Sequence, residues 1–181
     1  MIMFGSVGNA WELLMPLTVK VAQHKSVRLV VSHQRLLSKL HHYGIQGKTL
    51  SWINSWLTNR SQCVVVDGKA SSFVKVTLGV PQGAYLGPLM FLLFIGDIYD
   101  NVDSTLWLFA DDALLYRTIN STNDCAILQN DIEMLTYWAE TWQMQFNVTK
   151  CHKLRLSRKK ESVLTDYFID GHKMSPVTRH P

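Results

Sequence analysis

The sequence predicts an α+β fold in which helices pack on a mostly antiparallel sheet. Three observations predict it. Apolar residues recur at helical spacing in four stretches. Short runs of β-branched and aromatic residues fall between and after them. Asp-Gly pairs at Asp67-Gly68 and Asp170-Gly171 sit between such runs, where a tight hairpin needs positive φ.

The elements follow in order. Ser32 to Gly44 reads as a helix with Ser32 at its N-cap, Gly44 as its stop, and Leu36, Leu37 and Leu40 on one face. Lys48 to Asn59 is a second helix, carrying Leu50, Ile53, Trp56 and Leu57 at helical spacing. Gln62–Val66 and Phe73–Thr77 read as two strands joined across Asp67-Gly68. Pro88 to Tyr99 is a strongly apolar helix whose proline lies near the first turn, where a missing N–H removes nothing. Thr105–Phe109 and Ala113–Arg117 are short apolar strands around Asp111-Asp112. Asn123 to Met144 is a long amphipathic helix through Ile127, Leu128, Ile132, Leu135, Trp138 and Trp142. Cys151–Leu156 and Tyr167–Ile169 are further strands, and Asp170-Gly171 turns the chain toward Lys173.

Composition fits this reading. The chain has 181 residues, 47% hydrophobic and 18% charged, enough for a folded core and too apolar for disorder. A net charge of +4 suits contact with nucleic acid without establishing it. Cys63, Cys125 and Cys151 have neither zinc nor disulfide spacing and read as free thiols in a reducing, intracellular setting, nuclear or cytoplasmic. The longest apolar run, Tyr85 to Gly96, is shorter than the ~20 residues of a membrane span, so no membrane partner is expected. Charge is uneven. Met1 to Val66 holds seven Lys and Arg against one acid, Glu12, and Thr141 to Lys160 holds six Lys and Arg against none.

Two local features bear on chemistry. Phe109-Ala-Asp-Asp112 places two carboxylates between apolar strands. Such a pair repels itself, and a bound Mg²⁺, which prefers oxygen ligands, would relieve the repulsion; taken alone, an ordinary turn that contains two Asp is the commoner source of such a pair. Gly79-Val-Pro-Gln-Gly-Ala-Tyr-Leu-Gly-Pro88 packs three Gly and two Pro into ten residues. That composition suits close backbone approach to a nucleic-acid strand, or a buried tight turn.

Order and spacing join them. GVPQGxxLGPxxFxxxIxDI followed by FADD is similar to palm motifs B and C of reverse transcriptases from non-LTR (LINE-type) retrotransposons. Trp142 to Cys151 resembles motif D, and Tyr167 to Gly171 resembles the hairpin that grips the primer end. The resemblance implies a right-hand polymerase palm over residues 32–178, an RNA-directed DNA polymerase (a nucleotidyltransferase) working on an RNA template and a DNA primer. It implies Asp111 and Asp112 as ligands in a two-Mg²⁺ site, Pro81, Gln82 and Gly83 against template and nucleotide, and Lys150 near the triphosphate. The basic stretch Lys150 to Lys160 would face phosphates.

The sequence departs from the family upstream. A metal-binding Asp belongs eight residues before Val31, and an aromatic that screens the sugar five residues after it; here those positions are Gln23 and Arg28. Residues 1–31 are set apart as a segment that does not match the family, and Met1 to Val30 is expected to pack poorly or non-natively against the rest. Fingers motifs, a thumb and any endonuclease or RNase H region have no counterpart, so the expected palm is truncated and its metal site incomplete. The expectation is a catalytically inactive polymerase fragment or, alternatively, a non-catalytic remnant that binds nucleic acid weakly.

Overall fold

A computed structural model describes residues 17–22, as backbone, and residues 31–81, 83–109, 112–155 and 165–176. In chain order these hold β1 (Leu17–Ala22), α1 (His33–His42), α2 (Gly47–Leu57), β2 (Ser61–Gln62), β3 (Val65–Val66), β4 (Lys69–Ala70), β5 (Val74–Lys75), α3 (Leu86–Ile95), β6 (Thr105–Phe109), β7 (Asp112–Tyr116), α4 (Thr122–Thr141), β8 (His152–Arg155), β9 (Phe168–Ile169), β10 (His172–Lys173) and β11 (Ser175–Pro176). The mixed α+β class matches expectation. The chain divides into two compact units, one joining β1 to residues 99–138 and 145–176, the other joining residues 31–98 to 139–144.

The first unit is built on a five-stranded sheet of order β11-β8-β1-β7-β6, in which only the β11–β8 pair is parallel. β1 lies at its centre, with Val19 opposite Leu115 on one side and Lys153 on the other. Residues 17–22, within the segment expected to pack poorly or non-natively, thus pair along both edges. Alternating Leu17, Val19 and Val21 are ordinary strand residues, and backbone pairing asks only for extended φ/ψ and free N–H and C=O groups. α4 buries Leu128, Ile132 and Leu135 of the expected stripe and, beyond it, Cys125, while Ile127 and Trp138 are half-buried. Its start is fixed by a reciprocal cap. Ser121 Oγ accepts from the Asp124 N–H at 3.3 Å, and the Asp124 carboxylate accepts from the Ser121 N–H at 2.9 Å.

The second unit packs α1, α2 and α3. Leu36, Leu40, Ile53, Leu57, Met90, Phe91 and Phe94 form its core. α3 is not wholly buried as its composition suggested: Leu89 and Leu92 face outward. The two expected strands at 62–66 and 73–77 are broken into β2–β5 and β3–β4. Between them the Ser71 hydroxyl, not a backbone carbonyl, accepts the Val64 N–H at 3.0 Å, and a side chain that competes for the backbone interrupts the ladder. Both Asp-Gly turns form with positive φ at both residues, 48° and 75° at Asp67-Gly68 and 49° and 71° at Asp170-Gly171.

Candidate active site

In the sheet, β6 and β7 form the expected antiparallel hairpin, with Phe109 paired to Asp112 and two residues between them. Asp112 opens β7. Ala113 and Leu115 are buried, so by the period of two Asp112, Leu114 and Tyr116 share the other, half-buried face. Trp107, cross-strand from Leu114, stands on that face with its ring edge-on to Tyr116 at 5.7 Å. On its second edge β7 pairs with β1, and Ala22 lies opposite Asp112. Asp111 lies outside the described residues, as do Gln23 and Arg28.

Lys150 closes a 3₁₀ turn, Val148–Lys150, two residues before β8. β8 runs antiparallel to β1 with His152 opposite Lys20, so the turn that precedes β8 lies at the end of the sheet where Ala22 meets Asp112. The half-buried Lys150 and Asp112 are thus brought to one end of one sheet. The basic stretch is less available than its composition suggests. Lys153 pairs with Asp166 at 2.7 Å, and Lys173 pairs with the same carboxylate at 2.6 Å. Hydrogen bonds from Lys153 and then Lys173 hold the Asp166 carboxyl below the usual carboxylate range. Leu156 to Leu164 lies outside the described residues.

The hairpin is steadied from α4. Asp131 is fully buried, and its two oxygens accept the N–H groups of Asp103 and Ser104 at 3.0 and 2.9 Å, just ahead of β6. One carboxylate so satisfies two backbone donors that lead into the strand. The signal was present in the sequence as a lone acid inside the apolar stripe of α4.

In the second unit the glycine-proline loop is tied at its root. The Gly79 carbonyl accepts from His33 Nε2 at 2.8 Å and from Arg60 Nη2 at 3.2 Å, and the Gly79 N–H donates to Val31 O at 2.8 Å. Gly79 and Gly83 both take positive φ, 80° and 78°. Gly87 is required for another reason: a Cβ there would stand 2.6 Å from the Pro81 carbonyl oxygen, closer than any real contact. Pro81 is half-buried and Gly83 exposed; Gln82 lies outside the described residues. Behind the loop, Lys39 is buried. Its ammonium donates to Phe94 O and Asp97 and sits 3.7 Å from the Trp142 ring centroid. Lys39, His33 and Arg60 escaped the sequence reading, because each is pinned to a group far away in the chain.

The loop and the hairpin carry the two sequence motifs on which the family resemblance rests, and residues 29–173 match the family described as "Reverse transcriptase (RNA-dependent DNA polymerase)". The chain belongs to the reverse transcriptase family. It is 30% identical over 119 residues to the RNA-directed DNA polymerase from mobile element jockey of Drosophila melanogaster, covering 61% of this chain and 13% of that protein. It is 30% identical over 135 residues to the probable RNA-directed DNA polymerase from transposon BS of the same species, covering 66% of this chain and 14% of that protein. The reverse transcriptase domain is accordingly of the non-LTR retrotransposon type, and the chain spans about one-eighth of the length of these relatives. Its fold is similar to that of an apo telomerase from Candida tropicalis, with a TM-score of 0.56 and 12% identity over 90% of this chain and 34% of that one. Among the described residues no helix is long and apolar enough to cross a membrane, and no group of three or more His, Cys, Asp and Glu could hold a metal ion.

Proposed function

We propose that this chain is a palm portion of a retrotransposon RNA-directed DNA polymerase that keeps the framework facing nucleic acid and has lost metal-dependent nucleotidyl transfer. In this reading residues 32–178 make the palm. Pro81, Gln82 and Gly83 face the template and nucleotide, Lys150 stands near the triphosphate, and the partners are an RNA template and a DNA primer. Asp111 and Asp112 are the surviving Mg²⁺ ligands.

One observation carries the loss. β1 pairs directly with β7 and sets Ala22 opposite Asp112, yet Leu17–Ala22 contains no carboxylate and the next residue is Gln23. An amide oxygen is neutral and cannot offset a dication, and the two-metal arrangement needs carboxylates on both sides of the site. Arg28 adds positive charge to the same segment. The donor set does not fit a two-Mg²⁺ centre. Transfer of this kind depends on positioning and charge stabilisation, so a missing ligand removes most of what the protein supplies. Binding does not share that dependence. Arg155, Arg158, Lys159 and Lys160 remain for phosphates, and affinity should fall with salt at a slope of about 0.7 per contact on single strands.

The test is primer extension on an RNA template with Mg²⁺ or Mn²⁺, with Asp111→Ala beside the unaltered chain. The expected result is no extension by either. Extension by the unaltered chain that Asp111→Ala abolishes would overturn the reading. Gln23→Asp supplies the complementary arm: it should tighten Mn²⁺ binding, read by paramagnetic resonance, by about tenfold or more, since a new carboxylate within reach of a dication gains several kcal/mol at moderate dielectric.

A further inference from the structure

The described residues 31–66 contain no acidic residue at all, while Arg35, Lys39, Lys48 and Arg60 give the segment four cations. Within it α2 presents an unusual outer face. Ile53 and Leu57 are buried and make the core side. On the opposite side Trp52 is 55% exposed. Trp56, one turn later, is half-buried and stacks on it with ring centroids 6.4 Å apart and planes only 12° from parallel. Lys48, one turn earlier, is exposed, and so are Ser51 and Ser55 beside the rings. Trp52 and Trp56, stacked nearly parallel, together make a flat aromatic surface of the kind on which a planar partner can stack.

We propose that this face of α2 is a strip for single-stranded nucleic acid, on which an unpaired base stacks on the Trp52 ring and Lys48 meets the neighbouring phosphate. Trp56 is the backing ring that holds the plane of Trp52. The occupant follows from the chemistry of the face. An unpaired base offers a π-face to an aromatic ring whatever its sequence, and its phosphates need a cation, which the exposed Lys48 supplies. Ser51 and Ser55 add hydroxyls of the kind that meet sugar and phosphate oxygens. Arg60, half-buried and donating to the carbonyls of Leu57 and Gly79, places a second charge just past the C-terminal end of the helix, at the other end from Lys48. The strip goes beyond the reading above and does not depend on it, since it uses none of Asp111, Asp112 or Lys150.

The experiment is binding of the full chain to fluorescein-labelled 20-residue oligouridylate and oligothymidylate, followed by anisotropy across a salt series. Trp52→Ala should weaken binding roughly 5- to 150-fold, the range covered by base–aromatic stacking, with an unchanged salt slope. Trp52→Phe should recover most of that loss, which shows that the ring and not the fold is at issue. Lys48→Gln should lower the salt slope by about 0.7. Loss on both oligonucleotides fits the strip as proposed for either sugar; loss on the RNA alone assigns it to RNA. A combined Arg158→Gln, Lys159→Gln and Lys160→Gln variant separates this strip from the other basic segment: it should weaken binding and leave the Trp52→Ala effect in place. Equal affinity of Trp52→Ala and the unaltered chain would overturn the proposal, and so would no binding by the unaltered chain. A Trp52→Ala change that alters only sedimentation, turning an associated species into a monomer, would overturn it in favour of a second copy of this chain.

Discussion

The loop at Gly79–Gly87 and the sheet end at Asp112 are differently preserved. The loop is held by side chains: His33 and Arg60 converge on one carbonyl, Gly87 makes room for another, and Lys39 anchors the helix behind. The sheet end is held by backbone. β1 pairs along both its edges, and Ala22 stands opposite Asp112, while Leu17–Ala22 itself carries no carboxylate. A region fixed by side chains cannot lose them and keep its shape. A strand fixed by N–H and C=O groups can lose every functional side chain and still pair.

That difference can be broken at the loop's support first, where the largest effect lies. Lys39→Ala removes a buried cation from Phe94 O and Trp142 and leaves the Asp97 carboxylate without that partner. Unfolding in urea should show a loss of about 3 kcal/mol, as when one partner of a buried pair is deleted. A loss under about 1 kcal/mol would mean that the packing of α1 and α3, and not the cation, holds the loop's base.

The hairpin tests the same comparison in the other unit. Asp131→Ala strips two acceptors from the N–H groups of Asp103 and Ser104. The expected cost is about 2 kcal/mol, and Asp131→Asn, which keeps one acceptor oxygen, should cost about half as much. Hydrogen exchange in β6 and β7 should rise with it. If exchange there is unchanged, the ladder alone fixes the hairpin and α4 is a bystander.

The smallest effect is the acid response of Asp166. Its carboxyl is held below the ordinary 3.8 by Lys153 and Lys173. A depressed carboxyl stabilises the fold above its unfolded value, and that contribution disappears as pH falls through the folded value. Between about pH 5 and pH 3 the unaltered chain should therefore lose stability slightly more steeply than Asp166→Asn. Identical slopes would show that the pair is fully screened by water.

The hairpin strands, the four helices and both Asp-Gly turns were legible in the sequence because each is a local pattern of apolar spacing or turn chemistry. The broken strands at 62–76 were not. There both faces are exposed, so no burial enforces a continuous ladder, and the Ser71 hydroxyl interrupts it. Asp131 left a trace, a charge within an apolar stripe. His33 and Arg60 left none, since their shared acceptor lies 46 and 19 residues away.

By itself the sequence determined the family, through motifs whose residues are close neighbours in the chain; the proposed gap at Gln23 rests on residue identity alone. Only the tertiary structure decided what fills the centre of the sheet. Pairing of 17–22 with residues near 115 and 153 depends on backbone hydrogen bonds, which carry no side-chain signature, so a segment outside the matched residues 29–173 could still supply the central strand.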